Sequence, residues 1–214
     1  MTVDDLPAPS WGAPEVSRGA DNSPRVAASF DLMAAVLDGI ELPDLLTRVA
    51  ERARAMAGVP LAFIALPAED AVTLRIDIAV GADSDRVRGL TVRRGRSMLG
   101  RAFSSRRALS ARIVADQTLS TLPAGPILIL PLDTGEATRG VLAVLGRPGA
   151  EPFSPSAAHQ LLLFADTCAR FVQLAEDRRA AVRPGPGGRG DRHAPPAVAP
   201  ADVTDHFVRD WPRG

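Results

Sequence analysis

The sequence predicts an α+β fold, an antiparallel sheet with the terminal helices packed on one face and a short helix plus loops on the other. Three observations predict it. Strand-like segments are grouped together, with a single short helix among them, whereas βαβ units would alternate helix with strand. Two helical segments precede the strands, the first with apolar residues recurring at four, three, four, three spacing. A long apolar helix closes the folded part, opened by Ser154-Pro155.

The elements follow in order. Over residues 25–40, Val26, Phe30, Met33, Leu37 and Ile40 draw one stripe along a helix. Glu41-Leu42-Pro43 breaks it, because the residue before a proline is pushed out of the helical region. Pro43 suits the first turn of a second helix, with Asp44 near its positive end and Gly58 as its stop. Residues 61–66 form an apolar run that reads as a buried strand. Val72, Leu74, Ile76, Ile78 and Val80 alternate with polar or small residues, the period of a half-buried strand. Residues 81–88 read as a polar connection. A short strand at 90–92 leads through Gly95 to a short helix at 97–105, then a strand at 108–114 and an irregular loop at 115–123. Residues 127–132 and 140–145 read as neighbouring antiparallel strands joined by the turn chemistry of Asp133-Thr134-Gly135-Glu136. Ser154 then caps a helix that runs to about residue 182. Residues 1–24 and 183–214 are Pro/Gly-rich and aperiodic, and read as disordered tails around one domain at 25–182.

Composition narrows the function. The 214 residues carry zero formal net charge, which argues against nucleic acid as a partner, since phosphate binding needs a basic excess or a basic patch. All 25 basic residues are arginine. The plain reading is codon bias; selection for bidentate anion binding would need the arginines to converge at a site. Cys168 is the only cysteine, so no intrachain disulfide forms, and a lone thiol fits a reducing compartment. The acidic start, Met1-Thr2-Val3-Asp4-Asp5, lacks a signal-peptide profile, and no apolar run approaches the roughly eighteen residues that span a bilayer. The expectation is a cytoplasmic protein with no membrane contact. Metal-ligand spacing, nucleophile motifs and phosphate-cradling loops between strand and helix are missing, so no enzyme is expected.

Several segments together carry a family resemblance. They are Leu90-Thr91-Val92 with Gly95 and Leu99-Gly100, the strand end Leu130-Pro131-Leu132, Arg139-Gly140-Val141-Leu142, and Pro152-Phe153-Ser154 before a helix. In this order residues 41–180 resemble a GAF domain, and are most similar to GAF domains of actinobacterial two-component sensor histidine kinases. The resemblance implies a sensory or regulatory module that dimerises and binds a ligand between the sheet and its short-helix cover. It also marks departures. His193 lies beside Pro195-Pro196, which would block a phosphoacceptor helix, so autokinase activity is not expected. Haem-binding relatives use a histidine inside the fold, and none lies between residues 61 and 147. Bilin-binding relatives use a pocket cysteine, whereas Cys168 falls mid-helix; neither haem nor bilin is expected. The methionine sulfoxide reductase class needs a second thiol to close its disulfide cycle, and Cys168 has none.

The resemblance places the pocket among Phe63, Ile78, Met98, Phe103, Leu119 and Ile129, with Arg75, Arg93 or Arg112 to neutralise an anionic ligand. The apolar members are equally read as ordinary core. For a homodimer, the helical spacing offers Phe30, Met33 and Leu37 on the first helix and Leu161, Phe164, Cys168 and Phe171 on the last, with Leu162, Ala165, Ala169 and Val172 left for the sheet. The expected function is a non-catalytic sensory or regulatory module in bacterial signal transduction. It would bind an unknown small molecule or a signalling protein, and dimerise through its terminal helices. The alternatives are a ligand-free dimerisation adaptor and, less favoured, a thiol-dependent redox enzyme.

Overall fold

The computed structural model describes residues 23–70, 72–113 and 124–182. Residues 1–22 and 183–214 of the two expected tails, and the loop that holds Leu119, lie outside the described residues, whereas Ser23 and Pro24, expected in the first tail, open α1. Five helices and six strands are seen among the described residues: α1 (Ser23–Leu37), α2 (Leu42–Ala57), β1 (Leu61–Pro67), β2 (Thr73–Gly81), α3 (Ser84–Val87), β3 (Thr91–Arg93), α4 (Met98–Ser105), β4 (Leu109–Ile113), β5 (Gly125–Asp133), β6 (Thr138–Leu145) and α5 (Pro155–Val182). The strands form one antiparallel sheet in the order β3-β2-β1-β6-β5-β4.

The central strands β1, β6 and β5 are buried on both faces, which is why they read as near-continuous apolar runs. On one face, Ala62, Ile64, Leu128, Leu130, Leu142 and Val144 are covered by α2 and α5, and α1 packs on those two helices and completes the same core. On the other, Leu61, Phe63, Ile127, Ile129, Val141 and Ala143 meet Val87 of α3 and Leu99 and Ala102 of α4. The helices therefore divide between the two sheet faces as the sequence implies, with α3 an addition inside the segment read as a polar connection.

Two corrections concern which way side chains face. The alternation in β2 does not continue through Asp77. Ile64 pairs with Ile78, but Ala65 pairs with Ile76, so Asp77 is the extra residue of a bulge. Ile76 consequently packs toward α4, while Ile78 packs with the terminal helices. The second correction concerns α5. Leu161, Phe164 and Cys168 are not on an outer face: they are buried in the core together with Ala165, Ala169 and Val172. Both rows turn inward because α5 touches the sheet as well as α1 and α2, and a helix wedged so buries far more than a 100° stripe.

Local chemistry fixes the remaining joints. The Asp70 carboxylate accepts from the Thr73 hydroxyl at 2.7 Å and from the backbone N–H groups of Thr73 and Val72, closing the β1–β2 turn. The Thr73 hydroxyl first, then those backbone donors, hold its pKa below the ordinary carboxylate value. Gly58 ends α2 in the left-handed region, with its N–H on the α2 carbonyls. Arg25 Nε donates to Gln160 Oε1 at 3.0 Å, and Arg178 Nη1 donates to the Val36 carbonyl. These two bonds join start to start and end to end, so α1 and α5 run parallel. Arg178 satisfies carbonyls at the α1 C-terminus, where a cation is also favoured by the helix dipole.

Gly100 is required by a close approach. A Cβ there would collide with the carbonyl of Arg94, so α4 can fold back onto the end of β3 only with glycine at this position. We expect Gly100→Ala to destabilise the domain by about 1–3 kcal/mol. Gly95→Ala, where no atom lies within 4 Å of the added carbon, should stay within about 0.5 kcal/mol of wild type. Chemical denaturation of both variants checks this; equal stabilities would contradict the packing.

Candidate functional site

The chain from β3 to β4 crosses one whole face of the sheet, because β3 and β4 are its opposite edges. Helix α4 makes the crossing. Ser97 caps it: the Ser97 hydroxyl donates to the Arg93 carbonyl at 2.8 Å and accepts from the Gly100 N–H at 3.0 Å. Leu99 and Ala102 face the sheet, with Met98 and Phe103 half-buried beside them. At its far end Arg106 adopts a left-handed conformation, and its guanidinium donates to the carbonyls of Gly135 and Glu136, both at 2.9 Å. Both ends of α4 are thus pinned.

A cleft of about 630 Å³ opens along the outer side of this helix, lined by Arg94, Gly95, Arg101, Ser104, Ser105, Arg107, Ala108 and Leu109. The Arg94 guanidinium lies over the Phe103 ring, 4.5 Å from its centroid. Its Nε is buried and has no hydrogen-bond partner among the described residues. A second, apolar groove of about 220 Å³ lies between α1 and α5, lined by Val26, Phe30, Met33 and Phe171 with Arg25, Ser29 and Thr167.

The pocket residues expected from the sequence are only partly brought together. Phe63 and Ile129 are fully buried in the layer beneath α4, with Met98 and Phe103 packed against it. Ile78 is on the opposite sheet face, through the bulge at Asp77. Arg75 is paired with Asp77 at 2.6 Å, Arg93 is exposed on the β3 edge, and Arg112 is exposed on the opposite edge, donating to the Ala150 carbonyl at 2.9 Å. These three arginines do not converge. Those that do, Arg94, Arg101 and Arg107, were missed. The signal for them was available: residues 86–113 contain nine arginines and no acidic residue.

Of the dimer candidates, α1 presents its row outward. Val26, Phe30, Met33 and Leu37 are 39, 60, 40 and 64% exposed, while Ala28, Leu32, Ala35 and Val36 face the core. Phe171 is half-buried beside that row and Leu174 is exposed. Among the described residues no group of His, Cys, Asp and Glu has the geometry to hold a metal ion, and no helix is long and apolar enough to cross a membrane.

A family model described as GAF domain matches residues 41–172. The chain belongs to the GAF family, whose members are sensory and regulatory modules in signalling. No curated protein matches it. Among solved structures it is similar to the second GAF domain of DevS from Mycobacterium smegmatis, at 28% identity and a TM-score of 0.61, over 66% of this chain and 99% of that one. It shares its fold with the free methionine-R-sulfoxide reductase of Neisseria meningitidis, at 15% identity and a TM-score of 0.61, over 78% of this chain and 98% of that one. The same holds for a phycoerythrobilin-bound GAF domain from a cyanobacterial phytochrome, at 11% identity and a TM-score of 0.55, over 72% of this chain and 97% of that one.

Cys168 packs in the core, and burial pushes its thiol well above the ordinary thiol pKa. The folded chain therefore keeps this proton where the unfolded chain, with a thiol pKa of about 8.5, loses it. Stability from this group is complete below about pH 8 and falls as pH rises beyond it, by about 1.4 kcal/mol per pH unit. The chain has no lysine and no tyrosine, and arginine stays charged throughout. We therefore expect urea midpoints to fall from pH 8.5 to 10.5 in wild type and to stay level in Cys168→Ala. An equal slope in both proteins would contradict the assignment.

Proposed function

We propose that this chain is a non-catalytic regulatory GAF module that works as a homodimer, with the outer row of α1 packed against the same row of a second copy. The observation that carries the proposal is the position of Val26, Phe30, Met33 and Leu37. They form a continuous apolar line on a helix whose other face already packs on the core. The row cannot be turned inward without losing Leu32 and Val36 from that core. Fifteen residues of helix make a seam about 22 Å long, and Phe171 and Leu174 of α5 widen it. The four-three spacing is that of helices meeting at shallow angles. Because α1 and α5 run parallel and are bonded at both ends, a shift of α1 against its partner copy is transmitted to α5 along its length. Cys168 is sequestered in the core, which speaks against thiol-dependent redox chemistry. A cytoplasmic location and a further signalling protein as partner accord with this role.

The test is a pair of charge insertions read by sedimentation and by circular dichroism. Wild type is expected to be dimeric at tens of micromolar. Phe30→Glu combined with Leu37→Glu should give a folded monomer, because both positions meet solvent in the single chain. Phe164→Glu should unfold it, because that side chain is fully buried. A monomeric wild type, or an unfolded α1 double variant, would overturn the dimer.

A further inference from the structure

We propose that the cleft on the outer side of α4 is a binding site for a small soluble polyphosphate, gripped by Arg94, Arg101 and Arg107. The chain is neutral as a whole, but its charge is not evenly spread. The stretch from residue 86 to 113 carries nine arginines without one acidic residue, and the fold gathers three of them around one cleft. Asp70 lies near Arg94, but Arg101 and Arg107 have no such acidic neighbour among the described ion pairs, and charge of one sign so concentrated favours a bound anion. None of Arg94, Arg101 and Arg107 forms an ion pair among the described residues, whereas Arg106 beside them is spent on the β5–β6 turn.

The chemistry of the lining selects the ligand class. Each guanidinium offers a planar fork of donors suited to two oxygens of a phosphate. Ser104 and Ser105 add hydroxyls, and Gly95 lets a ligand approach the backbone without a side chain in the way. Arg94 is already held over Phe103, so its guanidinium is positioned before the ligand arrives, and its buried Nε has no acceptor among the described residues. A single carboxylate would leave most of the positive charge unanswered; two or three linked phosphates match it. The volume, about 630 Å³, falls in the range of roughly 300–1,000 Å³ usual for small-molecule sites. The α1 row takes no part in this cleft, so the proposal stands or falls separately from the dimer.

The experiment is titration calorimetry of the full chain with tripolyphosphate, with pyrophosphate and citrate as comparison ligands. Tripolyphosphate should bind most tightly, pyrophosphate next, and citrate at least tenfold more weakly than tripolyphosphate. Arg101→Gln combined with Arg107→Gln should weaken tripolyphosphate at least tenfold while leaving the melting temperature in the ligand-free state near that of wild type. Arg48→Gln with Arg52→Gln, on α2 away from the cleft, should change it less than twofold. No heat with tripolyphosphate would overturn the proposal. So would equal weakening by both double variants, which would mean diffuse attraction, or citrate binding as tightly as tripolyphosphate. Repeating the titration on the Phe30→Glu, Leu37→Glu chain should give the same affinity.

Discussion

The rest of the structure depends on one constraint: the three central strands are apolar on both faces and must be covered twice. Ile127, Ile129, Val141 and Ala143 need one cover, and Leu128, Leu130, Leu142 and Val144 need another. Burial of this surface, at about 25 cal/mol per Å², is the largest favourable contribution available to a domain of this size. It assigns α2 and α5 to one face, with α1 packed on them, and α3 and α4 to the other. Helix α4 can serve as a cover only because Gly100 lets it lie on the end of β3. Helix α5 is drawn in so far that Leu161, Phe164, Cys168, Ala165, Ala169 and Val172 of its two rows are buried and only Leu162 and Phe171 stay half-buried, which leaves α1 as the terminal helix with an unburied apolar row.

Much of this was legible in the residues. The apolar runs at β1, β5 and β6 mark strands buried on both faces, and Ser154-Pro155 marks the start of α5. The four-three spacing of α1 marks one stripe along it, and the exposure of Val26, Phe30, Met33 and Leu37 in the fold shows which way that stripe faces. What failed did so for identifiable reasons. The pattern of β2 continues with period two through Ile76 and Ile78, so nothing in it reveals that Asp77 is bulged out and that the two isoleucines face opposite ways. In α5, spacing shows two apolar rows but not what each one meets; the answer depends on how deeply the helix is wedged. Leu161, Phe164 and Cys168 therefore read as an interface and are core.

The candidate site was less legible than the fold. A net charge of zero conceals a local basic surface, because acids elsewhere in the chain balance arginines that the fold gathers around α4. Arg75, Arg93 and Arg112 looked alike in sequence, but pairing with Asp77 engages the first, and the other two sit on opposite sheet edges. Convergence is a property of topology: Arg94 and Arg107 are thirteen positions apart and line one cleft because α4 joins the segments that carry them. The two surfaces so defined, one apolar on α1 and one basic on α4, lie on opposite sides of the sheet.

The central claim is that the α1 row meets a second copy while other exposed apolar residues do not. Chemical cross-linking at single introduced cysteines tests it most directly, since the native Cys168 is buried and unreactive. Met33→Cys lies in the row; Val72→Cys lies on the β1–β2 turn, at a position 63% exposed. With a short bismaleimide at micromolar protein, the account predicts a cross-linked dimer from Met33→Cys and monomer from Val72→Cys. Equal yields from the two, or none from Met33→Cys, would contradict it.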